Sequence, residues 1–215
     1  MTGFGYNVLG FGVSASAGTL GVGTSLGYNG GPDDWADMGI QAGDLAIAVK
    51  SNLSAGASFS TPTGYTLIYA KASDGSWSSP YVEGVALYYR ILDGTESGGQ
   101  GNEWVVVRYG KPVTSVVVSN IANAGTKTLY YTYTASTSES VLRVGCSGGY
   151  SLTGSNRDAW QNSAGNEIAS STGPGSGTTA RPAGIIVTTT QSSGTIVVAN
   201  GTFLRACVAA TLTPE

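Results

Sequence analysis

The feature that most constrains this chain is a rhythm of short apolar runs broken by turn residues, beginning near Gly43. Residues 45–49, 65–71, 84–92, 103–109, 113–119, 127–134, 140–146, 184–190, 194–200 and 202–212 are rich in Val, Ile, Thr and Tyr. Such branched or flat side chains suit a pleated, half-buried surface. The dividers are turn formers: Thr61-Pro62-Thr63-Gly64, Asp74-Gly75, Asp93-Gly94, Asn123-Ala124-Gly125 and Ser193-Gly194. No long helical period interrupts them. Many short strands at this spacing predict an all-β fold, whether a sandwich, a jelly roll or a barrel. Leu45-Ala46-Ile47-Ala48-Val49 is apolar on both faces, which predicts a strand covered on two sides.

Composition agrees with a folded core. Of 215 residues, 41% are hydrophobic and 11% charged, the reverse of a disordered chain. This length suits one β domain. The net charge is −3, and the ten Lys and Arg are scattered singly between Lys50 and Arg205. Without a basic stripe to displace counterions, nucleic acid is not an expected partner. The amino end shows neither a secretory signal nor an apolar span, so synthesis in a cytoplasm and no membrane contact are expected. Cys146 and Cys207 lie in strand-like apolar runs and read as buried thiols; whether they pair depends on which strands become neighbours.

Residues 1–32 stand apart. They contain no Asp, Glu, Lys or Arg, and glycine recurs throughout. So much glycine makes ordering entropically costly, yet Phe4, Tyr6, Val8, Leu9, Phe11, Leu20, Val22, Leu26 and Tyr28 favour burial. Together these features predict an extended arm that becomes ordered against a neighbouring subunit. An extra edge strand or a frayed tail is the alternative. The expected division is an arm over 1–32 and a single sandwich over 33–215, with a long loop at about 147–183 rich in Gly, Ser, Asn and Thr. Between arm and sandwich, Pro32-Asp33-Asp34-Trp35-Ala36-Asp37 suits a short helical turn with acids at its positive end. The three acids lack the glycine and distal glutamate of a calcium loop, so no metal is assigned.

The search for chemistry returns mainly exclusions. The chain has no histidine, the commonest general base and metal ligand. Gly145-Cys146-Ser147-Gly148-Gly149 matches the hydrolase G-x-S-x-G pattern, but Ser147 has no histidine to activate it, and a glycine-rich turn is expected instead. No lysine stands three residues after a serine. Asp93, Glu96, Glu103 and Asp158 are possible glycosidase acids, with nothing to single out a pair. Dinucleotide and phosphate-loop fingerprints are missing, so no catalytic residue and no cofactor is assigned. Tyr130, Tyr131, Tyr133, Tyr88, Tyr89, Tyr81, Trp77 and Trp104 could build a sugar-stacking platform or, as expected here, fill the core or an interface.

Three blocks in order carry a family resemblance: Gly43-Asp44-Leu45-Ala46-Ile47-Ala48-Val49, then Pro62-Thr63-Gly64-Tyr65-Thr66-Leu67-Ile68, then Val85-Ala86-Leu87-Tyr88-Tyr89-Arg90-Ile91-Leu92-Asp93-Gly94-Thr95-Glu96. Over roughly residues 43–110 the chain resembles a module of structural proteins in tailed bacteriophages. The opening Gly5-Tyr6-Asn7-Val8-Leu9-Gly10-Phe11-Gly12 is similar to the start of short phage virion proteins, including those of cyanobacterial phages. The resemblance implies an antiparallel β-sandwich of jelly-roll type, placed in the particle on the capsid or in the tail, and carries no catalytic residues. The expectation is therefore a non-enzymatic capsid decoration, or cement, protein on the virion surface. It would be made in the host bacterial cytoplasm, bind the major capsid protein, and form a homo-oligomer, a trimer. The alternative is a tail or fibre module binding host-surface carbohydrate.

Overall fold

A computed structural model describes residues 20, 21, 23–29, 35–52, 59–72, 84–97, 103–125, 129–149, 159–161, 167–170, 183–188, 193–198 and 204–215. The strands are β1 (Thr24–Asn29), β2 (Leu45–Asn52), β3 (Thr66–Ala72), β4 (Gly84–Ile91), β5 (Glu103–Arg108), β6 (Val116–Ala124) and β7 (Leu129–Tyr133). They continue with β8 (Leu142–Gly149), β9 (Ala159–Gln161), β10 (Glu167–Ser170), β11 (Ala183–Thr188), β12 (Gly194–Val198) and β13 (Leu204–Pro214). The helical turn expected after Pro32 is a 3-10 turn at Trp35–Met38.

Two antiparallel sheets form the sandwich. The first has the order β1-β5-β2-β4-β3 and the second β11-β8-β13-β6. Their inner faces share one core. From the first sheet come Leu45, Ile47, Val49, Val85, Leu87, Val105 and Val107; from the second, Leu142, Val144, Cys146, Ala206, Val208, Ala210 and Leu212. Alternation along each strand sends every second residue to this core.

The outer faces are covered as well, each by large rings over small residues. On the first sheet Ala46, Ala48 and Ala86 leave room for Trp35 and Trp104, which meet edge to face with centroids 5.4 Å apart. On the second sheet Cys207 and Ala209 lie beneath Leu129, Tyr131 and Tyr133 of a two-stranded ribbon, β7 paired with β12. The five-residue apolar run in β2 is therefore covered on both sides, as its sequence predicts. Cys146 faces the shared core and Cys207 the ribbon, so these buried cysteines on adjacent strands form no disulfide with each other.

Several expectations need correction. Residues 24–29, assigned to an outstretched arm, form β1 and pair with β5 of the same chain. Leu20 is buried in the shared core, and its carbonyl accepts a hydrogen bond from Gly110 N at 3.0 Å. The arm can thus comprise residues 1–19 at most, and those lie outside the described residues. The interval expected as one long loop contains the paired strands β9 and β10. Gly145 to Gly149 is no turn: it belongs to β8, hydrogen-bonded on both sides to β11 and β13. Asn123 and Ala124, expected in a turn, lie within β6.

Candidate functional site

The three blocks that carry the resemblance come together because β2, β4 and β3 are neighbours in the first sheet. Their polar residues mostly hold loops in place. Asp44, at the start of β2, takes two hydrogen bonds from Arg108, Nε to Oδ1 at 2.9 Å and Nη2 to Oδ2 at 2.6 Å. Arg108 also donates to the Gly39 carbonyl at 2.7 Å, and Asp44 accepts from Gln41 N at 2.7 Å. Glu96 pairs with Arg90 at 2.7 Å and accepts from the Asp93 and Gly94 amides at 3.0 Å each. Gly64, at φ 80°, lies so close that a Cβ there would stand 3.0 Å from the Arg90 guanidinium.

Outside these contacts a polar cleft of about 590 Å3 opens, lined by Lys50, Thr61, Thr63, Arg90, Glu96 and Ser97 among others. Glu96 is tied to Arg90 and to its own turn. Asp93 is fully exposed, and hydrogen bonds from the side chain and backbone of Thr95 hold its carboxyl below the usual carboxylate range. A general acid needs the opposite shift, toward neutrality. The cleft offers hydroxyls and one lysine to a polar ligand. Asp158, the Glu103 side chain, Asp33 and Asp34 lie outside the described residues. Among the described residues, no three His, Cys, Asp or Glu side chains cluster to hold a metal.

Behind the ribbon, Arg143 is 3% exposed. Its guanidinium donates to Thr211 Oγ1 at 3.1 Å and the Thr134 carbonyl at 3.0 Å, and stands 4.8 Å from the Tyr133 ring centre. Thr211 also hydrogen-bonds the Tyr131 hydroxyl. Burial pulls the arginine down while the two tyrosines oppose that. The group fastens the ribbon to the sheet.

The aromatics divide accordingly. Trp104, Tyr88, Tyr131 and Tyr133 are buried and Tyr89 is half-buried against the core, whereas Tyr130 projects from the ribbon at 70% exposure. Trp77 and Tyr81 lie outside the described residues. The platform reading therefore retains Tyr130 among the residues placed.

The second exposed feature is a flank. β3 and β6 are edge strands, and they approach one another on the same side of the sandwich. There Leu67 (41% exposed), Tyr69 (36%), Val117 (48%) and Ile121 (42%) reach solvent. Both edges are bent. The β3–β4 register shifts between Leu67 and Tyr69; the β13–β6 register shifts between Ala209 and Thr211, opposite Asn120 at φ 51°. Bulges of this kind protect an edge from indiscriminate strand pairing. No sequence signal marks this flank, because apolar side chains are expected on every strand and only the sheet order reveals which ones lack a cover.

Of the proposed arm contacts, Leu20 is in the chain's own core. Leu26 and Tyr28 are in β1, with side chains outside the described residues. Phe4, Tyr6, Val8, Leu9, Phe11 and Val22 lie outside the described residues. Compared with protein-family models, curated proteins and solved structures, the chain matches none. The fold and its two surface features thus define an all-β sandwich, with a polar cleft on one face and an apolar flank along one side. Among the described residues no helix is long and apolar enough to cross a membrane.

Proposed function

We propose that this chain is a structural protein of a tailed-bacteriophage particle, a decoration protein that binds the major capsid protein of the head and reinforces the shell by contact alone. The observation that carries this reading is the flank: four large apolar side chains stand exposed on two bent edge strands that approach one another. Exposed apolar groups gathered on one side suit contact with another protein. Glu96 in the cleft is tied to Arg90 and the neighbouring Asp93 to its own turn, which supports holding over reacting. The resemblance of the three blocks to virion proteins supplies the setting.

The test adds purified chain to phage heads that lack it. The chain should co-sediment with heads, persist in high salt and raise their resistance to heat. Gold-labelled antibody should mark heads in micrographs of particles. Label confined to tails, or no co-sedimentation, overturns the proposal. A second reading, a tail module binding carbohydrate, draws on the exposed Tyr130 and the hydroxyl-lined cleft. A glycan array responding to Tyr130→Ala would favour it.

A further inference from the structure

We infer that the flank formed by β3 and β6 receives residues 3–13 of a second copy of this chain, joining copies head to tail. The inference rests on the contact role proposed above and gives this flank to a neighbouring copy, so that the capsid protein is met elsewhere on the molecule.

Three observations lead there. The first is the alternation in the segment itself. In Phe4-Gly5-Tyr6-Asn7-Val8 and again in Leu9-Gly10-Phe11-Gly12-Val13, large apolar residues occupy every second position, with Gly or Asn between. Extended backbone would place each set of large side chains on one face. Neither set carries a charge, and neither could bury its apolar side without a surface to lie on.

The second is the form of the acceptor. Among the described residues, no strand pairs with the outer edge of β3 or of β6, and both edges are kinked by bulges. A stiff, flat strand cannot follow such an edge. A segment with glycine at alternate positions can, because glycine adopts backbone angles closed to other residues. The exposed Leu67, Tyr69, Val117 and Ile121 then provide the apolar surface for Phe4, Tyr6 and Val8 or for Leu9, Phe11 and Val13.

The third is placement. Leu20 is anchored at Gly110 beside β5, and β1 is the edge strand at the end of the first sheet remote from β3. Donor and acceptor therefore lie on opposite flanks, about 19 Å apart across four strand spacings. In a copy placed alongside in the same orientation, one copy's donor flank adjoins the next copy's acceptor flank. Unlike surfaces that meet in this way close into rings when the rotation allows and otherwise form open chains. Within one molecule the segment would have to cross a whole face of the sandwich to reach its own β6. Residues 14–19, between the docked segment and Leu20, could span about 20 Å when extended, close to the width of the sheet, so the experiment must separate the two paths.

The test uses full-length chains of two masses, distinguished by a tag. One carries Asn7→Cys, the other Ser119→Cys or Asn123→Cys; Cys146 and Cys207 are buried, and the unsubstituted chain serves as background. After mixing and treatment with a short bismaleimide, the expected product joins one chain of each mass. Sedimentation of the unsubstituted chain should show an assembly that Val117→Lys with Ile121→Lys converts to monomer while the circular dichroism spectrum is kept. A third chain bearing both Asn7→Cys and Ser119→Cys is treated alone; cross-linking within it, with no product joining chains of the two masses, overturns the inference, since the segment then lies on its own edge. So does absence of cross-linking at both edge positions, or an assembly indifferent to the lysines. Heads take no part in this experiment. A chain that joins copies but ignores heads overturns only the capsid role, and one that binds heads as a monomer overturns only this inference.

Discussion

Asp44 and Arg108 show how a pair 64 residues apart fixes a local shape. The carboxylate side chain is 4% exposed and the arginine 29%, so removing one partner strands a largely desolvated group. Asp44→Asn should lower unfolding stability by about 2–3 kcal/mol, less than a fully buried pair would lose because Arg108 keeps access to water. Glu96→Gln should cost about 1 kcal/mol, because its loop is exposed. Urea denaturation of both variants tests that ranking. The buried phenols of Tyr88, Tyr109 and Tyr131 are all raised by burial, Tyr109 the most clearly. A phenol with a folded pKa above its unfolded value holds its proton more tightly when folded. Its contribution is therefore fully present below the ordinary tyrosine value of about 10 and lost as pH rises from there toward the folded value. Unfolding free energy should fall with pH above about 10. Tyr109→Phe, which loses the hydrogen bond to the Ser140 carbonyl, should be less stable at neutral pH but show a shallower alkaline decline. Sequence patterns revealed the apolar partners on each strand, but they gave no hint that Asp44 would meet Arg108 or that Arg143 would lie under Tyr133.

At the scale of elements, the strands were readable where large and small residues alternate between turn formers. β2, β4 and β5 lie close to their expected limits for that reason. β1 fits only the alternative of an extra edge strand, because glycines conceal its period, and β6 runs past its expected end because Asn120 kinks the strand in place of ending it. The G-x-S-x-G stretch looked like a turn, yet it is part of a central strand, paired on both sides and with Cys146 facing the core. Gly43 shows how strictly one connection is built. It has φ 88°, and a Cβ there would stand 2.4 Å from Pro112 Cβ and 2.5 Å from its Cα. Gly43→Ala combines a left-handed backbone with a collision against backbone atoms and should cost at least about 2 kcal/mol. Thermal unfolding of Gly43→Ala beside Gly39→Ala tests the role of the collision. Gly39 also has positive φ, at 60°, but open space around it, so its variant should be the milder.

Across the whole molecule, the all-β class follows from strand rhythm, whereas sheet order does not, since each strand carries an apolar face whatever its neighbours. The exposed flank could be recognised only after that order was known. Cys146 and Cys207 report on the global fold, one from each side of the second sheet. Both should resist a thiol reagent in the native protein and react together, at a rate that follows global unfolding as denaturant is added. A thiol that reacts alone in native buffer would show the ribbon layer opening by itself. The place of β13 has a further consequence. It occupies the middle of the second sheet, between β8 and β6, and its residues Ala206, Val208, Ala210 and Leu212 lie against the first sheet. A ribosome finishes the first sheet's last strand, β5, nearly a hundred residues before it makes β13. Through that interval a nascent chain has half a sandwich with its oily side bare, and it becomes a candidate for chaperone capture until translation supplies the central strand.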